Sequence, residues 1–193
     1  MKRSNLIIIA VIAVLAVWGI SKYNGMVNAD ETVSKAWANV EAQYQRRADL
    51  IPNLVATVKG YAEHEKSTFE AVTDARAKAT QVSLNVEDLN EENMQKFQEA
   101  QAQVSSALAR LLAVSENYPE LKASEQFTEL QAQLEGTENR IAVARKDFND
   151  AVKAFNTGVR KFPKNIIASL FGFESKAYLK AKEHLEDSPE VSF

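Results

Sequence analysis

Residues 6–20 form an unbroken apolar segment of fifteen positions, and no other part of the chain is comparably hydrophobic. At about 1.5 Å per residue the segment gives roughly 22 Å of helix, which is shorter than the ~30 Å hydrocarbon core of a bilayer. Lys2, Arg3 and Lys22 flank it and can snorkel to the lipid surface, and Tyr23 suits an interface. The segment predicts a single short membrane span.

This span divides the chain into four parts. We expect a short N-terminal segment, a transmembrane helix, one folded domain and a polar tail, over residues 1–5, 6–22, 23–186 and 187–193. The domain is long enough to bury a proper core of its own.

A cleaved secretory signal is the alternative to an anchor. Lys2 and Arg3 resemble the basic start of a signal peptide, and Val27, Asn28 and Ala29 place small residues where a signal peptidase would cut. The chain contains no cysteine, so a lipobox thiol, disulfides and thiolate metal sites are excluded. The alternative product is a secreted, soluble helical protein that begins near Asp30.

The charge balance argues against nucleic acid as a partner. Without Lys2, Arg3 and Lys22, 20 of the 23 basic residues remain against 26 acidic ones, which leaves the domain at about −6. Such a domain has no electrostatic footprint for a phosphate backbone. Basic and acidic residues also alternate along the chain, as on ordinary solvated helix faces.

The domain is predicted to be all-α. Four prolines and six glycines punctuate 193 residues that are otherwise rich in helix-forming side chains, and no alternating strand pattern occurs. The first domain helix is expected to continue out of the membrane near Val27 and to reach about Thr80. Its apolar positions recur every three or four residues, Arg47 interrupts that track, and Pro52 predicts a bend over residues 49–52.

Two further long helices complete the expected bundle. The second should span about residues 91–116, with Asn90 as its N-cap and Pro119 after its end. The third follows a cap at Ser124 and carries the clearest heptad seam: Phe127, Leu130, Leu134, Thr137, Ile141, Ala144, Phe148, Ala151, Phe155, Gly158 and Phe162. The prediction is an N-terminal transmembrane helix followed by an elongated antiparallel bundle of three long helices plus a short C-terminal helix.

A dense apolar cluster follows Pro163. Its members are Ile166, Ile167, Leu170, Phe171 and Phe173, with Gly172 as a turn. We expect the cluster to cap one end of the bundle core, and the alternative is a surface for a membrane or a partner. The last short helix is expected over residues 175–185.

No catalytic, cofactor or metal site emerges from the residue pattern. His64 and His184 are the only histidines, and Thr68 stands where a zinc-protease motif beginning at His64 would need its second ligand. A phosphate-binding loop and a nucleophile elbow are absent. An enzyme would need a metal centre built almost wholly from carboxylates.

The most unusual local sequence surrounds Arg46, Arg47, Asp49 and Pro52. In the structural interpretation, Arg47 lies on the core track and is matched by a carboxylate of the third helix. The candidates are Glu135, Glu138 and Asp147. In the functional interpretation, the bend at Pro52 exposes a notch for an acidic partner. We favour the structural interpretation.

Several blocks of sequence resemble the LemA family. They are RRADLIPNLV at 46–55, VKGYAEHEK at 58–66, LLAVSENYPELKAS at 111–124, LEGTENRIAVARKDFNDAV at 134–152 and LFGF at 170–173. The resemblance implies a bacterial membrane protein with a helical bundle behind one N-terminal span and no established catalytic activity. It also implies a bundle inside the cell, whereas the weak charge bias across the span favours an external bundle, so the orientation stays open.

These observations favour a non-enzymatic, membrane-anchored helical scaffold or adaptor with no cofactor. The expected partners are the membrane and another protein, and the resemblance adds a membrane-bound metalloprotease by association only. Self-association into homo-oligomers is compatible with the sequence.

Overall fold

The computed structural model describes residues 3–180. Helix α1 (Arg3–Lys59) is 57 residues long and runs without interruption from the apolar segment into the domain. The side chains of residues 6–17 are exposed, because nothing in the described chain packs against them. Within residues 3–180, α1 is the one helix that is long and apolar enough to cross a membrane.

The first domain helix ends 21 residues earlier than expected, at Lys59 rather than near Thr80. α1 stops at Lys59, a turn occupies residues 60–65, and α2 (Lys66–Gln81) is a separate helix. The prediction of one helix to Thr80 was therefore wrong. Gly60 weakens the helix, and the polar residues that follow interrupt the apolar track. Within the turn, Ala62 is buried in the hydrophobic core.

The next two helices begin and end near their predicted positions. In α3 (Glu91–Val114) the Asn90 side chain accepts a hydrogen bond from the Asn93 backbone N–H at 2.9 Å. A short helix α4 (Pro119–Lys122) starts at the predicted proline. The long helix α5 (Glu125–Arg160) begins after Ser124, whose side chain accepts a longer bond of 3.5 Å from the Phe127 N–H. Both caps satisfy amide donors that the first helical turn leaves free.

The helices form an all-α bundle in which neighbours in sequence run antiparallel. α5 packs along α1, α2 packs along α3, and α2 also contacts α1. The break after Lys59 therefore makes four bundle segments rather than three. Pairing of α1 with α5 sets Tyr44 opposite Arg145 and Arg47 opposite Glu138, as expected for antiparallel helices.

The buried apolar side chains form two clusters along the bundle axis. The proximal core lies nearer the apolar segment and includes Val33, Trp37, Val40, Phe97, Phe148, Val152 and Phe155. The distal core lies near the α1–α2 turn and includes Ile51, Leu54, Val58, Val72, Leu108, Leu111 and Phe127. Arg47 and its partners lie between the two.

The seam of α5 holds from Phe127 to Phe148 and again at Phe155, and it departs from the prediction at three places. Val152 is buried where Ala151 was expected, and Asn156 is buried one residue beyond Phe155. Phe162 is 79% exposed, so its assignment to the core was wrong. α5 ends at Arg160, and a heptad pattern read past a helix end no longer predicts which side faces the core.

The C-terminal region also differs from the prediction. Helix α6 (Lys164–Phe171) ends at Gly172, which has a φ of 73° and supplies the left-handed cap that only glycine adopts freely. Residues 173–180 form no helix, so the helix expected from residue 175 was wrong over that stretch. Residues 181–185 of that helix, His184 and the tail 187–193 lie outside the described residues.

Candidate functional site

Arg47 occupies a polar layer in the middle of the bundle. Its side chain is 2% exposed. One terminal nitrogen, Nη1, donates to Glu138 Oε1 of α5 at 2.9 Å and to Ser105 Oγ of α3 at 3.0 Å. The other, Nη2, donates to the Gln101 side-chain Oε1 at 2.6 Å and to the Gln101 backbone oxygen at 3.2 Å. The guanidinium thus joins three helices.

The aromatic ring of Tyr44 completes this layer. The guanidinium carbon of Arg47 lies 5.0 Å from the ring centre, a cation–π distance. The Tyr44 hydroxyl accepts a hydrogen bond from Arg145 of α5 at 2.9 Å. Because both terminal nitrogens of Arg47 are occupied from within the bundle, the layer presents no open guanidinium to an acidic ligand.

The structure separates three of the predicted members of this site from Arg47 and brings the fourth, Glu138, to it. Arg46, Asp49 and Pro52 are exposed on α1, and Asp49 accepts a hydrogen bond from Gln45 at 2.7 Å. Of the three carboxylate candidates, Glu138 meets Arg47. Glu135 instead accepts from Gln131 on its own helix, and Asp147 is exposed.

Pro52 has a partner that the sequence did not reveal. A proline has no N–H, so the Ala48 carbonyl one turn earlier loses its helical hydrogen bond. Arg76 of α2 donates from Nε to that carbonyl oxygen at 2.8 Å. α2 therefore compensates for the proline in α1, and α1 remains one helix through Pro52.

Gln101 was also missed, although a signal for it exists. The apolar face of α3 passes from Phe97 to Val104, and Gln101 stands between them at the core position. A polar residue on an apolar helix face matches the interruption that Arg47 makes in α1. Two such interruptions on helices that pack together indicate a shared polar layer.

A cavity of about 150 Å³ lies beside the layer, where α1, α2 and α3 meet. Glu41, Arg47 and Arg76 are the charged residues of its lining. Burial raises the pKa of Glu41, and hydrogen bonds from the Leu84 backbone and Trp37 oppose that rise. The cavity could hold a few water molecules, at ~30 Å³ of liquid volume each.

The described residues offer this cavity no metal-ligand set. Within residues 3–180, no three histidine, aspartate or glutamate side chains are grouped so that they could hold an ion. His64 is exposed in the turn between α1 and α2, and Thr68 lies in the first turn of α2.

Two asparagines of α5 hold residues 173–180, which run beside it without joining a β-sheet and are called the C-terminal strand below. Asn156 accepts from the Lys176 backbone N–H at 2.9 Å and donates to the Lys176 carbonyl at 2.8 Å. Asn149 forms the same pair of bonds with Leu179, at 2.9 and 2.8 Å. The asparagines are seven residues apart, so they lie on one face of the helix. They hold the strand through its peptide groups, independently of its side chains.

Further contacts tie this strand to the rest of the bundle. The Ala177 N–H donates to the Leu89 carbonyl at 2.9 Å. Lys176 Nζ lies 3.0 Å from Asp30 Oδ1 of α1 and donates to the Val86 carbonyl at 3.1 Å. The Leu179 side chain is buried in the proximal core. The strand thus links α1, α5 and the segment before α3.

Known proteins resemble this chain over most of its length. Residues 36–193 match the family model described as the LemA family. Magnetosome protein MamQ 2 of Paramagnetospirillum magneticum is 28% identical over 196 residues, which cover 92% of this chain and 72% of that protein. Magnetosome protein MamQ of Magnetospirillum gryphiswaldense is 26% identical over 178 residues, covering 83% and 65%.

A further relative carries the family name itself. Protein LemA of Metamycoplasma hominis is 21% identical over 164 residues, covering 85% of this chain and 71% of that protein. The family match begins at Ala36, inside α1 and beyond the apolar segment, and takes in the Arg47 layer and the C-terminal strand. On this evidence of sequence, the chain belongs to the LemA family.

Proposed function

We propose that this protein is a single-pass, membrane-anchored helical scaffold that binds other proteins and catalyses no reaction. The observation that carries the proposal is the continuity of α1. The same helix bears the exposed apolar segment and, from Val33 onward, contributes buried side chains to the core of the bundle. A bundle joined to its anchor by helix rather than by a flexible linker is held at a fixed height above the bilayer.

Contacts around Ala29 favour an anchor over a cleaved signal. Met26 is buried, and Tyr23 packs its ring against Phe171 at 4.7 Å. Cleavage after Ala29 would remove both residues and cut α1 immediately before Asp30, which pairs with Lys176. A signal segment normally leaves without taking part of the folded domain with it.

Two charges in the apolar segment test the anchor. We expect the Val11→Arg/Val14→Arg variant to be lost from the carbonate-resistant membrane fraction, because each arginine costs about 2.5–3.5 kcal/mol at the centre of a span. The matched Val11→Leu/Val14→Leu variant should remain at the full mass of 21.5 kDa. Release of the wild-type protein by carbonate, or a mature chain beginning at Asp30, would refute the proposal.

Crosslinking in native membranes tests the scaffold role. A photoreactive residue on the exposed faces of α3 or α5 should capture a defined protein, and a membrane-bound metalloprotease is the first class to look for. Stoichiometric metal in the purified protein, together with turnover of any substrate, would favour an enzyme instead.

A further inference from the structure

Helix α6 exposes apolar side chains although its other side is already packed. On its inner side, α6 buries Ala168 against the bundle, so this side already has a packing partner. On the outer side, Leu170 is 74% exposed, and Ile166, Phe171 and the nearby Phe162 are more than half exposed. The expectation that this cluster caps the bundle core was therefore wrong for these residues. A helix that is apolar on both sides calls for a second apolar neighbour.

The exposed face lies where the apolar segment of α1 ends. α6 packs against α1, and the rings of Tyr23 and Phe171 are 4.7 Å apart. The ring of Phe173 also lies near Tyr23, with 5.8 Å between the two ring centres. Tyr23 is three residues beyond Ile20, the last residue of the apolar segment. The exposed face of α6 is thus continuous with the surface of the predicted span.

Basic side chains predominate around α6, and the nearest acidic residues in sequence are Glu174, beyond its end, and Asp30 of α1, which pairs with Lys176. Arg160, Lys161 and Lys164 surround its start, and Lys22 lies on the adjacent turn of α1. Residues 160–173 and 17–29 contain no aspartate or glutamate, although the whole chain carries a net charge of −3. Basic side chains at this level complement the phosphates of anionic lipids.

We propose that α6 lies in the lipid headgroup region, with Phe162, Ile166 and Leu170 inserted toward the acyl chains. The basic side chains of Lys161 and Lys164 then face the anionic phosphates. Interfacial helices of this kind bury their apolar face about 5–10 Å into the boundary between headgroups and acyl chains. The inference rests on the proposed anchor and adds a second membrane contact, which fixes the bundle in rotation as well as in height.

Depth-dependent quenching in bilayers tests this placement. The natural chain has no cysteine, so single-cysteine variants can carry a bimane probe at one chosen position. The full-length protein is reconstituted into vesicles of phosphatidylcholine and phosphatidylglycerol that contain phosphatidylcholine brominated near the top of its acyl chains for the probe at residue 170, or near their ends for the probe at residue 14, with both lipids used for residue 132. Leu170→Cys reports on α6, and Val14→Cys reports on the span. Ala132→Cys lies on the exposed face of α5, about 42 Å along the helix from Arg160.

The expected result is quenching at residue 170 that is several-fold stronger than at residue 132, together with quenching at residue 14. Quenching at residue 14 without quenching at residue 170 overturns the placement of α6 and leaves the anchor intact. A blue-shifted but unquenched probe at residue 170 overturns it as well, because a second copy or another protein then covers the face. Loss of quenching at residue 14 alone refutes the anchor and not the interfacial helix.

Substitution of the basic residues provides a second, independent test of the placement of α6. Lys161→Gln/Lys164→Gln should reduce quenching of the residue 170 probe in vesicles that contain phosphatidylglycerol, and should leave the residue 14 probe unchanged. Lys146→Gln, on the exposed side of α5, is the matched control and should have no effect. An equal loss in both variants would overturn the assignment of lipid phosphates to Lys161 and Lys164.

Discussion

Replacement of Arg47 by methionine should destabilise the bundle by about 3 kcal/mol. Methionine fills similar space but leaves Glu138 without its cation and Gln101 without its donor. Breaking a buried ion pair costs about 3–5 kcal/mol. Glu138 is 35% exposed and can recover water, which places its share below that range. Gln101 is buried, and an unsatisfied polar group there adds about 1–3 kcal/mol.

Urea unfolding, followed by circular dichroism on the full chain in a mild detergent, measures this loss. Arg46→Met is the matched control, because it makes the same change one residue away on the exposed face of α1. The control should move stability by no more than about 0.5 kcal/mol. Equal midpoints for the two variants would refute the buried, paired arginine.

A double-mutant cycle with Glu138→Gln separates the ion pair from the rest of the layer. Glutamine keeps the size of the side chain and removes its charge. Residues in contact usually show coupling energies of about 0.5–3 kcal/mol. Additive effects of Arg47→Met and Glu138→Gln would mean that the 2.9 Å contact contributes no stability of its own.

Three further changes probe the proximal core, the cavity and the C-terminal strand. Phe148→Ala should cost about 3–5 kcal/mol in urea unfolding because the ring is fully buried against Trp37, whereas exposed Lys146→Ala should cost little. Because burial raises the pKa of Glu41 in the folded state, its ionisation opposes folding. Glu41→Gln should therefore raise the urea midpoint at pH 7, but not below the unfolded pKa of about 4.3, where the carboxyl group is neutral in both states. Glu87→Gln, at an exposed position, is the control. A gain that does not depend on pH would show that ionisation of Glu41 is not its origin. Asn156→Ala should speed hydrogen exchange at Lys176 and Ala177, whereas exposed Asn139→Ala should not; unchanged exchange would mean that other contacts hold the strand.

Sequence periodicity predicted the long helices well because each buries one continuous stripe. The α5 seam from Phe127 to Phe148 and the caps at Asn90 and Ser124 depend on local spacing, which a single sequence contains. The end of α1 was missed because the heptad track resumes in α2 at Phe69 and Val72. A pattern that continues across a short turn does not reveal the turn, and here a glycine and a run of polar residues were the available signal.

The C-terminal strand could not be predicted, because its conformation depends on other parts of the chain. Residues 175–180 include good helix formers such as lysine, alanine and leucine, yet their backbone bonds go to Asn149, Asn156 and Leu89. These partners lie between 20 and 88 positions away in sequence, counted from Asn156 to Lys176 and from Leu89 to Ala177. Tertiary hydrogen bonds here override local helix propensity, which amounts to less than about 1 kcal/mol per residue.

The polar layer and the asparagine pairs solve related problems of register in a bundle of similar apolar seams. Two helices with heptad seams can slide by one turn and still bury leucine and phenylalanine. A slide of α5 against α1 would move Glu138 about 5.4 Å from Arg47 and leave both charges unpaired. Asn149 and Asn156 likewise fit residues 173–180 in one alignment, because each must meet both the backbone N–H and the carbonyl of one residue. Polar groups that are satisfied in one arrangement alone disfavour the alternatives, as a buried asparagine does in coiled coils. In a scaffold whose proposed role is to hold a binding surface at a set height above a membrane, such fixed register matters more than the stability that the polar contacts add.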